Sequence, residues 1–304
     1  MGKRERKYNR QIEYNMSELG KKVENAIKVI KMASMTALER ERERESISEL
    51  HPLTLAYSTG KDSDVVLHLA KMSGVEFSSV YHATGLDPKG SLEHARENNI
   101  TIVKPDTPFF KLMEKNGFPT RRARWCCRLL KEKYDSPVSL QGIRASESTA
   151  RASRYKEPTV CRIYSKSERT EVFLPILDWS DKDVEDFIKS EGIKCHRHYY
   201  DENGNFHVER RVGCLCCVLQ STNKLKEEFK KHPHMVKSYI FFGKRWWDSH
   251  PNSNSRNKFR DVYDLFFHNV FCKDYNDYIY KTTGIFGRTD TKAFLEDYFK
   301  IDLP

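Results

Sequence analysis

The stretch Leu53-Thr54-Leu55-Ala56-Tyr57-Ser58-Thr59-Gly60-Lys61-Asp62-Ser63-Asp64-Val65-Val66-Leu67-His68-Leu69-Ala70 decides the fold. Its first five residues are short and mostly apolar, as a strand buried in a parallel sheet must be. Ser58–Ser63 then turns on a glycine, and Val65–Ala70 continues as a helix. A strand–loop–helix of this kind gathers backbone N–H groups and a helix N-terminus around an anion. Gly60 lets the main chain approach a ligand, Lys61 brings a positive charge, and Ser58 and Ser63 bring hydroxyl donors. Asp62 is placed either to orient the loop or to help hold Mg²⁺. The pattern GxxxxGK[ST] is absent, so this is not a Walker A loop. By composition alone, an ordinary serine- and glycine-rich turn remains the alternative.

Outward from this loop the pattern repeats. Phe77–His82, Ile100–Val103, Ser139–Ile143 and Val172–Ile176 read as strands. Ser91–Asn98 and Asp181–Ser190 read as helices, the second capped by Ser180. Strands alternating with helices predict an α/β fold with a doubly wound, mostly parallel sheet and a ligand site at the carboxyl ends of its strands. Residues 1–50 form a helical N-terminal arm without proline, with Leu19, Val23, Ile27 and Ile30 near helical spacing and alternating charge over Glu39–Glu45. The arm is suited to pack on the core or on a twin subunit, which makes a homo-oligomer a candidate. Residues 51–220 form the nucleotide-binding domain. Residues 221–304 form a helical C-terminal region rich in aromatics, including Phe241, Phe242, Trp246, Trp247, Phe266, Phe267 and Phe271, with a loop at His250–Asn257.

Composition narrows the function. The chain has 304 residues, a formal charge of +10, 38% hydrophobic and 32% charged residues, so it can build a core. No apolar run approaches the roughly 18 residues that would span a bilayer, so no membrane partner is expected. No apolar run follows the basic residues of Met1–Gln11, which argues against a secretory signal and for a cytoplasmic protein. Eight cysteines in a reducing compartment then point to metal binding or catalysis rather than disulfides. The positive charge favours anionic partners: an adenine nucleotide, a sulfate ester or nucleic acid. Aromatics interleaved with Lys and Arg in residues 221–304 suit a single strand, although a packed helical subdomain has the same composition.

The loop string resembles the PP-loop of N-type ATP pyrophosphatases, especially that of the ATP sulfurylase small subunit and its phosphoadenylyl-sulfate (PAPS) reductase relatives. The resemblance implies an adenine nucleotide alpha hydrolase-like fold, binding of ATP through Ser58, Thr59, Gly60, Lys61, Asp62 and Ser63, and cleavage between its α and β phosphates. Tyr81-His82-Ala83-Thr84-Gly85-Leu86 resembles the family's His-x-x-Thr-Gly segment, although one residue rather than two separates His82 from Thr84, and implies Thr84 and Gly85 beside the nucleotide. Gly142-Ile143-Arg144-Ala145-Ser146-Glu147-Ser148 with Arg151 resembles G-x-R-x-x-E-S-x-x-R. It implies a cofactor-binding role for Gly142, Arg144 and Glu147, and catalytic roles for Lys61, Asp62, Arg144 and Arg151. Planar guanidinium forks suit phosphate or sulfate oxygens. Leu174-Pro175-Ile176-Leu177-Asp178-Trp179 also matches a family stretch, with Trp179 expected in the core.

Cys126-Cys127 and Gly213-Cys214-Leu215-Cys216-Cys217 are separated by 86 residues, 128 to 213. This resembles the cluster pattern of assimilatory adenylyl-sulfate reductases, which implies a 4Fe–4S cluster on Cys126, Cys127, Cys214 and Cys217. Zinc on four cysteines and free redox thiols are the rival readings. Cys216 is a spare thiol, a ligand in place of Cys217, or a sulfur carrier. Cys161, Cys195 and Cys272 stand alone and are expected to be small buried hydrophobes.

Two departures shape the functional expectation. The Glu-Cys-Gly-x-His tail of the reductases is missing, since the chain ends Tyr298-Phe299-Lys300-Ile301-Asp302-Leu303-Pro304. The phosphate loop, generally degraded in those reductases, is intact. Both favour an enzyme that cleaves ATP to AMP and pyrophosphate to adenylate an acceptor for sulfur transfer, with Mg²⁺ and a cluster. DNA phosphorothioation proteins of the DndC type are similar in this combination, which implies a sulfur donor such as a cysteine desulfurase. The alternatives are a PAPS or adenylyl-sulfate reductase releasing sulfite, and a non-catalytic nucleic-acid-binding module.

Overall fold

A computed structural model describes residues 17–42, 51–165, 168–282 and 290–304, apart from several side chains between 272 and 282. Residues 1–16 and 43–50 of the expected arm lie outside this set, as does the side chain of Cys272. The chain divides into two units. One comprises Met1–His82, Pro88–Val103 and Lys133–Val212; the other comprises Ala83–Asp87, Lys104–Glu132 and Gly213–Pro304.

The first unit holds a six-stranded sheet: β1 Leu53–Ala56, β2 Ser78–His82, β3 Thr101–Val103, β4 Val138–Leu140, β5 Thr159–Ile163 and β6 Arg169–Phe173. The order is β3-β2-β1-β4-β6-β5. All pairs are parallel except β5 with β6, which is antiparallel with Cys161 opposite Glu171. Leu53 and Leu55 of β1 and Val138 and Leu140 of β4 are fully buried. Each contributes about 1.5–3 kcal/mol of apolar burial, which is why these central strands read as unbroken apolar runs. The edge strand β5 leaves Cys161 and Ile163 exposed. The expectation that Cys161 is buried is therefore corrected: an edge strand has one covered face, and Cys161 points away from it.

The chain winds outward from β1 to β3, then returns to lay β4 on the other side of β1. The carboxyl ends of β1 and β4 thus form the switch point where such sheets bind ligands. α1 (Glu18–Arg42) buries Gly20, Val23, Ala26, Ile30, Ala33 and Ala37 in a single stripe and packs on β1, β4 and β6. Leu19 and Ile27 are only partly covered, and the helix is described as far as Arg42, within the Glu39–Glu45 charge run. α2 (Lys61–Ser73) follows the phosphate loop and stops at Gly74 in the left-handed region. α3 spans Ser91–Glu97. α7 (Asp181–Glu191) follows the short α6 (Thr149–Arg154) and starts in a capping box, with Ser180 accepting from the Asp183 N–H and Asp183 accepting in return.

The second unit is helical: α4 Phe109–Asn116, α5 Trp125–Leu130, α8 Thr222–Lys231, α9 Pro233–Ser249, α10 Asn254–Lys258, α11 Val262–Thr282 and α12 Thr291–Phe299. Its core is aromatic, with Phe109, Phe118, Phe229, Tyr239, Phe266 and Phe271 all buried. α4 meets α9 where Gly243 faces the Phe118 ring. A Cβ on Gly243 would lie 2.1 Å from that ring, and Phe118 is itself buried. Gly243→Ala should therefore lower stability by about 1–3 kcal/mol, the usual cost of overpacking. Thermal unfolding of the variant checks this, and an unchanged melting temperature would contradict it. Among the described residues, no helix is long and apolar enough to cross a membrane.

Candidate functional site

The phosphate loop hangs between β1 and α2. Thr59 sits at φ 59°, rare for a β-branched residue, and its buried hydroxyl has no partner among the described residues. Strain and an orphaned polar atom together mark a loop shaped for a ligand rather than for stability. Ser63 Oγ donates to the Gly60 carbonyl at 2.7 Å, and its oxygen lies 3.2 Å from the Ser58 N–H that donates to it. The Lys61 N–H donates to the Tyr199 hydroxyl at 3.1 Å. Lys61 is buried, with its ammonium 3.3 Å from Asp62 Oδ2 and above the Tyr199 ring.

Arg144 does not stand free beside this loop. It is 1% exposed and its donors are engaged: Nε to Asp62 Oδ1 at 2.6 Å, one terminal nitrogen to Ser146 and the Trp179 carbonyl, the other to Asp181 at 2.7 Å. It thus ties the phosphate loop to the loop after β4 and to the start of α7. Gly142 makes that approach sterically feasible, because a Cβ there would fall 2.7 Å from the Asp62 carbonyl oxygen. Trp179 is fully buried. Arg151 and Arg211 share the Glu147 carboxylate, Arg211 at 3.1 Å. Burial, then the neighbouring Arg211, depress the Arg151 pKa. Lys61, Arg144, Arg151 and Arg211 outnumber Asp62, Glu147 and Asp181, leaving one excess positive charge for an anion.

A polar cluster lies behind the loop. Asp64 accepts from Tyr57 and lies 2.9 Å from His94 Nε2; burial pushes its carboxyl pKa up. Cys195 is buried, and burial raises its thiol pKa as well. His196 is buried, its Nδ1 accepts the His198 N–H, and Nε2 has no partner among the described residues. Burial, reinforced by His94, lowers its pKa to about 4. The fold thus favours neutral His196. This contribution is complete above the unfolded value near 6.5 and is lost as pH falls toward 4. His196→Asn, which keeps an acceptor for the His198 N–H, should remove on the order of 2 kcal/mol of acid destabilisation between those limits. Melting temperatures of both proteins across that range check it; parallel curves would refute it.

The cysteines gather in the second unit. Cys126 and Cys127 open α5, and Cys214 and Cys217 flank a turn; all four line one pocket with Thr84, Arg124, Lys131 and Tyr239. The Cys126 thiol donates to Cys127 and, with Lys131 and Arg124, holds the Cys127 pKa down at about 7 despite burial. Burial alone would lower the Lys131 pKa, but the adjacent Cys214 outweighs it and raises it. Cys216 points elsewhere: it is fully buried in the aromatic core and absent from the pocket lining. Thr84 lies in this unit too, with Oγ1 3.6 Å from Cys214 Sγ. Asp87 holds the Thr84 and Gly85 N–H groups at 2.8 and 3.1 Å. Among the described residues no three His, Cys, Asp or Glu side chains are arranged to hold one metal ion. Four thiolates are the donor set of a four-iron cluster, and this pocket lines up four thiols with Lys131 and Arg124 as neighbouring cations.

Sequence reasoning did not single out Tyr199, Asp181 or Lys131. Tyr199 and Asp181 lie far along the chain from the loop they serve, and no local motif marks them.

A doubly wound sheet with an anion loop at its switch point defines a nucleotide-binding domain. The family model of the phosphoadenosine phosphosulfate reductase domain matches residues 52–220, more than half of the chain, and the chain belongs to that family. It is 33% identical over 152 residues to an uncharacterized 37.8 kDa protein of Escherichia phage 186, covering 45% of this chain and 43% of that one. It is 26% identical over 210 residues to an uncharacterized protein of Methanocaldococcus jannaschii, covering 64% and 48%. The chain thus spans less than half the length of either relative. It is 25% identical over 216 residues to sulfate adenylyltransferase subunit 2 of Buchnera aphidicola, covering 60% and 71%. Among solved structures, FMN adenylyltransferase of Candida glabrata aligns with a TM-score of 0.40 and 13% identity over 64% of this chain and 66% of that one.

Proposed function

We propose that this chain binds ATP at the phosphate loop and cleaves it to AMP and pyrophosphate, adenylating an acceptor for sulfur transfer. The observation that carries this reading is the intact loop itself, with Lys61 buried against Asp62 at the switch point and one cation in excess. An acceptor oxygen attacks the α-phosphorus, and the bond to the pyrophosphate oxygen breaks with its electron pair leaving on pyrophosphate. A sulfur nucleophile from a donor such as a cysteine desulfurase then displaces AMP. Lys61 meets the charge that develops on the leaving pyrophosphate. Arg151 adds a partly exposed guanidinium. Arg144 acts as a positioning residue. Both Asp62 oxygens are engaged by Lys61 and Arg144, so Mg²⁺ would be held by the nucleotide phosphates, where it would supply charge neutralisation.

In this reading Cys126, Cys127, Cys214 and Cys217 hold a 4Fe–4S cluster, which supplies redox or sulfur-handling chemistry when bound. Lys131 and Arg124 offset its negative charge. Quantifying AMP and pyrophosphate from ATP·Mg²⁺ tests the nucleotide reading; anaerobic iron and sulfide analysis tests the cluster.

A nucleic-acid acceptor is the second reading, favoured by where the charge lies. The cysteine-bearing unit carries 23 basic and 15 acidic residues, against 30 and 28 in the sheet unit. Arg121, Arg122, Arg124 and Arg128 are exposed. Replacing the four arginines with Gln should weaken oligonucleotide binding and flatten its salt dependence. Unchanged salt slopes would rule this partner out.

A further inference from the structure

The turn that carries Cys214 and Cys217 is held in an unusual shape. Cys216 sits at φ 51°, in the left-handed region that glycine prefers, yet its side chain is fully buried. This reversal sends Cys216 into the core while Cys214 and Cys217 line the pocket. The main chain there is gripped by one carboxylate. Glu228, on α8, accepts the Cys216 N–H at 2.7 Å and the Gln220 side-chain N–H at 2.9 Å on the same oxygen. Gln220 reaches back to the Cys214 carbonyl at 3.5 Å. The Leu215 N–H donates to the Leu86 carbonyl at 2.7 Å, fixing the other flank of the turn.

We propose that Glu228 is a positioning residue that holds Cys216 in the left-handed conformation and thereby selects Cys214 and Cys217, not Cys216, as the thiols presented to the pocket. The inference rests on the reading of that pocket as the working thiol site, but not on which metal group it holds. Without the clamp, a cysteine has reason to leave a conformation that its Cβ disfavours. Relaxation of the turn would rotate Cys216 out of the core and disturb both neighbours.

The test is site-resolved alkylation of the full-length apo protein, read by mass spectrometry, with exposed Cys161 as the internal reference. Loss of a hydrogen bond to a charged acceptor corresponds to about tenfold or more in the population of the misplaced turn. Glu228→Ala should raise Cys216 alkylation by about that factor and shift the rates of Cys214 and Cys217. Gln220→Ala, which removes only the brace, should give a smaller shift in the same direction and remains informative if Glu228→Ala folds poorly. The decisive variant is Glu228→Ala combined with Cys216→Gly, because glycine adopts the left-handed turn without help. It should return Cys214 and Cys217 to wild-type rates. Wild-type reactivity in both single variants, or no restoration by glycine, would overturn the proposal. Iron content is measured in parallel: a wild-type protein that takes up no iron would remove the cluster reading and leave the alkylation result standing on its own.

Discussion

Lys61→Ala is expected to leave the fold intact and reduce ATP cleavage by about two to three orders of magnitude, the usual loss when one preorganised charge facing a leaving group is removed. Lys61 opens α2, its main-chain N–H is taken by Tyr199, and its ammonium is buried beside Asp62. Removing the ammonium deletes the buried cation that faces the anion site but leaves the main-chain scaffold of the loop. Arg144→Met is expected to do more. It strips Asp62 and Asp181 of their shared partner and disconnects the phosphate loop from the loop after β4. Asp62 keeps Lys61 and Asp181 is largely exposed, so the stability loss should stay below about 3–5 kcal/mol, the cost of a fully buried pair broken on one side, and this variant should lose both stability and turnover. A Lys61→Ala protein with wild-type turnover, or an Arg144→Met protein with a wild-type melting temperature, would contradict these assignments.

The second large effect concerns the cysteines. Cys217→Ser should abolish iron retention after anaerobic reconstitution, whereas Cys216→Ser should retain it. Cys217 lines the pocket with Cys126, Cys127 and Cys214, while Cys216 is sealed in the aromatic core. The cost of Cys216→Ser should fall on stability instead, because a hydroxyl replaces a thiol among apolar groups. Iron per chain and the visible absorbance of the two proteins separate the outcomes. Equal iron in both would refute the assignment of the fourth ligand.

How much of this was legible in the sequence depends on range. Leu53–Ala70 could be read because strand, turn and helix are contiguous and the strand is buried on both faces. β5 escaped notice because it lies at an edge, where Cys161 and Ile163 face solvent and no apolar run forms. α4 and α5, with eight and six residues, are too short to show helical periodicity. The sequence places Arg144 near a phosphate loop, but it cannot count the acceptors that already occupy its guanidinium. Nor can it choose between Cys216 and Cys217, since that choice is made by one left-handed residue. Thr84 and Gly85 sit on a turn held by Asp87 in the cysteine-bearing unit, a placement set by tertiary packing.

The most direct test is to incubate the anaerobically purified protein with ATP·Mg²⁺, and separately with PAPS and a dithiol reductant, while AMP, pyrophosphate and sulfite are quantified. AMP and pyrophosphate formed in equal amounts from ATP, and lost in Lys61→Ala, is the predicted result. Sulfite released from PAPS with no cleavage of ATP would contradict the adenylating reading and make the protein a reductase.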